Sequence, residues 1–154
     1  MATTAITPEG NAVVSEVEIA APPERVFQAL TQSDQLMRWW TNEVWTAELW
    51  EVDARPGGRW RCKQKSSTMT INGISEFEVG GEILEIEPPR LLVYTWTTNL
   101  DQHLSSSVVR WELTPSGKGT KVKMTHSGLT PELAQGYSGG WPDVVEMLRN
   151  FAEK

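Results

Sequence analysis

The chain has 154 residues, with 14 Lys and Arg against 20 Asp and Glu, and so a formal net charge of −6. That length suits one domain with one core, and a composition of 39% hydrophobic and 22% charged residues is ordinary for a soluble globular fold. An acidic chain without a Lys/Arg run lacks the electrostatic footprint of a nucleic-acid binder, and its longest aliphatic stretch, Leu91-Leu92-Val93, is too short to cross a bilayer.

The opening MATTAITPEGNAVV has neither the basic nor the apolar region of a signal peptide, so a cytoplasmic location is expected. Residues 1–11 show no periodicity and read as a mobile tail, leaving 12–154 as a single domain. From 13 to 20 the chain alternates, with Val13, Val17 and Ile19 on one face and Glu16 and Glu18 on the other, which predicts a first strand. Pro22-Pro23 ends it, and Pro23 followed by Glu24 opens a short helix whose apolar stripe is Val26, Phe27 and Leu30. Ser33 can cap a second helix from Asp34 to about Trp39, with Leu36, Trp39 and Trp40 on its apolar side.

Beyond Val44 the period falls to two, and strands are predicted at 45–54, 59–65, 74–86, 91–98, 106–114 and 120–127. Pro56-Gly57-Gly58, Asn72-Gly73, Pro88-Pro89 and the run from Pro115 to Gly119 are the turns between them, and Gly80-Gly81 reads as a bulge. The chain closes on Trp141, Val144, Val145, Leu148, Phe151 and Ala152, the stripe of an amphipathic helix with Pro142 in its first turn. Antiparallel pairing that matches apolar with apolar sets Leu92 opposite Leu113, Tyr94 opposite Trp111 and Trp96 opposite Val109. The same rule sets Trp111 opposite Val122, Val109 opposite Met124 and Ser107 opposite His126, with Glu112 facing Lys121 on the other side. In the earlier hairpin Trp60 meets Val79, Cys62 meets Phe77, Arg61 meets Glu78 and Lys63 meets Glu76. One face is aromatic and aliphatic, and the other is a ladder of charges. The predicted fold is therefore α+β: a helix-grip fold, in which a curved antiparallel sheet wraps a long C-terminal helix, with two short helices after the first strand.

Several segments resemble the START/birch-pollen-allergen-like superfamily. More closely, they resemble bacterial single-domain relatives of the activator of heat-shock-protein-90 ATPase, C-terminal domain. They are APPERVFQAL (21–30), Arg38-Trp39-Trp40, PGGRW (56–60), GGEILEIEPPRLLVYTW (80–96), VVRWEL (108–113), GTKVKMTHSGL (119–129) and GWPDVVEML (140–148). The resemblance covers about residues 12–152, and the segments fall in the family's order. The resemblance implies the helix-grip fold and a role among those its members fill: binding lipophilic molecules, cyclising polyketides, or assisting the chaperone in the stress response. The eukaryotic co-chaperone carries an additional N-terminal domain, whereas at most eleven residues precede the predicted domain here. What matches is mainly structural glycine, proline and apolar core, so the resemblance carries over a fold rather than a catalytic set.

Eight Trp outnumber three Phe and two Tyr together, and each indole N–H wants a partner when buried. The inward face, with Trp60, Phe77, Val79, Tyr94, Trp96, Val109, Trp111, Val122 and Met124, has two readings. It packs as core against Val144, Val145 and Leu148, or it lines a cavity open at one end. On the cavity reading the ligand meets Trp60, Phe77, Tyr94, Trp96, Ser107, Val109, Trp111, Met124, His126, Trp141 and Val145. His126 is then a polar anchor or acid/base, or else a core histidine satisfied by a hydroxyl or carbonyl. No Gly-x-Ser-x-Gly elbow surrounds Ser107 and no carboxylate falls beside His126, so serine-nucleophile chemistry is set aside and no catalytic residue is assigned. A single cysteine, Cys62, excludes an internal disulfide, and with only His103 and His126 no metal site or cofactor is expected. His103 reads as solvated.

Helical neighbours point about 100° apart, so Trp39 and Trp40 should not share a core equally. Trp45 and Trp50 have opposite parity, so one of them should face outward. Trp40, Trp45 and Trp50 are accordingly the candidates for a partner surface. The leading functional expectation is a binder of one small lipophilic or aromatic molecule between sheet and helix. Behind it stand a co-chaperone-like module meeting a chaperone or other protein, and then an enzyme using His126 or Tyr94 as acid/base. Neither nucleic acid nor membrane is an expected partner, and a monomer or homodimer fits the sequence equally.

Overall fold

The computed structural model of the chain describes residues 2–70, 73–99 and 106–154. Asn72 and His103, which entered the sequence reading, lie outside the described residues. Eight strands form one antiparallel sheet: β1 (Thr3–Ile6), β2 (Val13–Ile19), β3 (Thr46–Val52), β4 (Arg59–Lys65), β5 (Glu76–Glu87), β6 (Leu91–Thr98), β7 (Ser107–Ser116) and β8 (Gly119–Ser127). Their order is β1-β2-β8-β7-β6-β5-β4-β3. Helices α1 (Pro23–Thr31) and α2 (Ser33–Trp39) carry the chain from β2 to the opposite edge at β3. The last helix, α3 (Pro131–Ala152), packs on β2 and β1 and touches both short helices. This is the α+β helix-grip fold expected from the sequence. No helix of the described residues is long and apolar enough to cross a membrane.

Side-chain faces are as the alternation predicts, but each hairpin is offset by two positions. Leu92 pairs with Trp111 and Tyr94 with Val109; Val109 pairs with His126 and Trp111 with Met124; Cys62 pairs with Val79 and Lys63 with Glu78. A slip of two leaves every side chain on its face, so hydrophobic matching alone separates such registers weakly. The turns and the close approach of backbones decide between them. A Cβ at Gly81 would collide with the Thr95 carbonyl oxygen, so these strands come together only at a glycine. Gly80-Gly81 is thus a site of close approach, and the bulge in β5 lies further on, between Ile83 and Glu85.

Three sequence readings are corrected here. Residues 3–6 are not a mobile tail: β1 pairs with β2 from Thr3↔Glu16 to Ile6↔Val13, and Ile6 packs against the core. Four residues are too few to show a period, and the ladder of β2 supplies the order. Helix α3 starts well before Trp141. Thr130 accepts a hydrogen bond from the Leu133 amide at 3.2 Å, Pro131 occupies the first turn, and Pro142 sits inside the helix. Gly136, Gly139 and Gly140 interrupt the stripe and disguise its first half as a loop. Finally, Ser33 opens α2 without a capping side chain, and Gln32 is the cap residue.

The charged face of the sheet carries ion pairs such as Lys63–Glu78 at 3.1 Å, with both side chains about half exposed. Such pairs contribute roughly 0–1 kcal/mol each, so stability rests on the buried face.

Candidate functional site

Trp40 is the hinge of the site. It follows the last residue of α2 with φ −90° and ψ 62°, outside helical geometry, so the angular rule for helical neighbours does not bind it. Trp39 and Trp40 are both buried and stack at 5.1 Å. Gln64 donates from Nε2 to the Trp40 carbonyl at 2.9 Å and fixes this turn to β4. Asn42 Oδ1 then accepts from the Val44 and Trp45 amides at 2.9 and 2.7 Å, a local turn that delivers Trp45 beside Phe77.

In β3 a bulge between Ala47 and Leu49 adds one residue, so Ala47 faces Gln64 and Trp50 faces Cys62 on the same inner side. That bulge cancels the parity argument. Trp40 and Trp50 are buried at 8% and 5% exposure and cannot present a partner surface. Only Trp45 stays half-buried, and it looks into a pocket rather than away from the molecule.

Behind Trp40 lies a closed aromatic layer. Trp60 packs on Tyr94 at 4.7 Å and on Trp96 at 5.6 Å, and Trp141 contacts Trp96, Trp111 and His126 at 5.5–5.9 Å. Its indoles find partners inside the protein. Trp60 donates to the Thr95 carbonyl at 2.9 Å, Trp96 to the Tyr137 hydroxyl at 3.1 Å, and Trp111 to the Tyr94 hydroxyl at 2.9 Å. Trp39 donates to the Ala29 carbonyl at 2.7 Å, while buried Trp50 Nε1 has no hydrogen-bond partner among the described residues. A surplus of tryptophan is therefore accommodated in packed core, because hydroxyls and strand carbonyls of the same layer accept from it.

His126 is fully enclosed. Trp141 Nε1 donates to its Nδ1 at 3.1 Å, which places the imidazole proton on Nε2, directed at Ser107 Oγ 2.7 Å away. Ser107 in turn donates to the Trp96 carbonyl at 3.2 Å. Burial holds His126 down at about 3, so it is neutral and every polar atom of the chain Trp141–His126–Ser107 is matched. The proton runs from imidazole to hydroxyl, the wrong direction for activating a serine. Tyr94 and Cys62 are pushed up by burial and stay protonated.

The open space lies at one end of this layer. A pocket of about 470 Å³ is lined by Trp40, Trp45, Phe77, Trp96, Tyr137 and Trp141, with Gln64, Thr98 and the α3 row Glu132, Gly136, Gly140, Asp143 and Met147 among the rest. Of the sequence-predicted cavity residues, the structure brings Phe77, Trp96 and Trp141 to it. Trp60, Tyr94, Val109, Trp111, Met124, His126 and Val145 lie in packed core instead, and Ser107 is buried beside His126. Sheet and helix leave this gap at one end, and elsewhere the predicted cavity residues are covered by neighbouring side chains. The first half of α3 was missed in the sequence. Its signal was Gly136 and Gly140, one turn apart on an amphipathic helix, where a Cβ would meet nothing within 4 Å. A larger hollow of about 1080 Å³ over the outer sheet face is shallow and lined mainly by Glu51, Arg59, Arg61, Glu82, Thr95 and Thr97, the charged ladder itself. Among the described residues no group of His, Cys, Asp and Glu could hold a metal ion.

A curved antiparallel sheet gripping a long helix, with a pocket where the two diverge, defines a helix-grip protein of the START/birch-pollen-allergen-like superfamily. The chain belongs to the family of activator of Hsp90 ATPase homolog 1-like proteins, whose model matches residues 20–153. Solved bacterial structures share the fold. A Rhodobacter sphaeroides protein superposes with TM-score 0.82 at 18% identity, covering 99% of this chain and 96% of its own. A Chromobacterium violaceum protein gives 0.81 at 23% identity, covering 94% and 99%. A Mesorhizobium loti protein gives 0.71 at 29% identity, covering 91% and 95%. No curated protein matches the chain.

Proposed function

We propose that the protein binds one small lipophilic or aromatic molecule in the pocket between the sheet end and the first half of α3. The observation that carries this reading is the pocket itself: about 470 Å³, walled by six aromatic side chains, with glycines where α3 would otherwise fill it. That volume lies within the range usual for small-molecule sites, roughly 300–1,000 Å³. Burial of apolar ligand surface supplies the affinity, at about 25 cal/mol per Å² before the cost of association. Two features weigh against the alternatives. A surface-acting module loses the outward tryptophans expected of it, since Trp40 and Trp50 are buried. An enzyme using His126 or Tyr94 would need groups that are enclosed and already committed to neighbours.

Native mass spectrometry of freshly purified protein, followed by titration with a panel of lipophiles read by indole emission, tests the reading. A bound mass lost on denaturation, or a saturable emission change, is expected. A clean apo mass with unmoved emission across the panel would overturn it.

A further inference from the structure

The chemistry of the lining says more than its apolarity. Six aromatic side chains line the pocket, and among the described residues that line it there are two carboxylates, Glu132 and Asp143, and no Lys or Arg. Both carboxylates are exposed at the rim on α3, and neither is paired with a cation among the described residues. The nearby acidic side chain that does pair, Glu146 with Arg149 at 2.8 Å, is not part of the lining. Two unpaired negative charges beside aromatic faces favour a positive ligand, because the negative quadrupole of each ring face attracts a cation directly.

The aromatic lining narrows the class further. A primary ammonium is a compact, strongly hydrated point charge, and ring faces do not replace the water around it. A quaternary or tertiary ammonium has no N–H donor or one, with its charge spread over alkyl groups that pack on rings. Resting on the pocket reading above, we propose that the ligand is a lipophilic cation: a quaternary or protonated tertiary ammonium carried on an aromatic or alkyl body, its charge between the aromatic wall and the Glu132–Asp143 rim.

Three probes with one hydrocarbon body test this: (2-naphthylmethyl)trimethylammonium, its neutral isostere 2-neopentylnaphthalene, and 2-naphthylacetate. Equilibrium dialysis at low salt is expected to show the cation bound at least about tenfold more tightly than either of the others. In the Glu132→Gln/Asp143→Asn double variant that preference shrinks severalfold, while the affinity for the neutral isostere is unchanged. Both positions are exposed, so the variant keeps its fold. Equal binding of the three probes, tighter binding of the anion, or a preference untouched in the double variant overturns the inference and leaves the pocket reading standing. Failure of all three to bind also overturns it. Whether the pocket reading falls as well is then read separately, from the native mass.

Discussion

The two halves of α3 face the same aromatic sheet and produce opposite results. Its second half presents Val145, Leu148 and Ala152, all buried, and where the halves meet Trp141 packs on Trp111 and His126, which are fully enclosed. Its first half presents Gly136 and Gly140 between Leu133, Tyr137 and Trp141, and there the rings of Trp45, Phe77 and Trp96 border open space. The difference lies in the helix rather than the sheet. Polar matching follows the same division: the indole, imidazole and hydroxyl of Trp141, His126 and Ser107 satisfy one another in the closed region. The open region keeps Glu132 and Asp143 at its edge.

The sharpest way to break this comparison is to make one substitution in each region. Trp111→Ala removes a fully buried ring and its bond to Tyr94, and is expected to cost about 3–5 kcal/mol in urea unfolding. Trp45→Ala, at the half-buried pocket wall, is expected to cost about 1 kcal/mol or less and to weaken ligand binding instead. Equal costs would mean the two regions are not physically distinct.

Acid tests the closed region next. The ordinary histidine value is 6.5, and burial holds His126 at about 3. Between those values the unfolded chain takes up a proton that the folded protein refuses, so stability falls as pH drops through this window. From pH 7 to 4.5 this group accounts for a loss on the order of 2–3 kcal/mol. His126→Gln removes that contribution, so the variant's stability should change correspondingly less over the same interval. Identical pH dependence in the two proteins would show that His126 titrates normally and that the region is wet.

The smallest effect on stability comes from filling the open region. Gly136→Ala replaces a helical glycine where a Cβ meets nothing, and should stabilise by about 0.5–1 kcal/mol. Gly140→Leu should also leave the fold intact while abolishing ligand binding by occupying the pocket. Retained binding in Gly140→Leu would place the ligand elsewhere.

The inner and outer faces of the sheet were legible from the sequence because strand alternation survives errors of two residues. The predicted Ser107–His126 contact shows this: the two are diagonal rather than opposite, yet their side chains still meet. Trp40, Trp45 and Trp50 were misplaced for the complementary reason. A chain leaving a helix and a one-residue bulge each break the angular rule that parity depends on, and neither has a strong local signature. Reading the site failed most on α3, where three glycines looked like a loop and two of them, Gly136 and Gly140, proved to border the open space.

By itself, then, the sequence determined the number of strands from β2 onward and the faces of all of them but β3, the two short helices, the second half of the gripping helix, and the family to which they belong. Those features follow from periods of 2 and 3.6, which are properties of neighbouring residues. Tertiary structure alone decided which aromatic side chains are covered, which hydroxyl or carbonyl satisfies each indole, and where helix and sheet part. Burial and hydrogen-bond matching depend on what arrives from distant parts of the chain, and a local pattern carries no record of that.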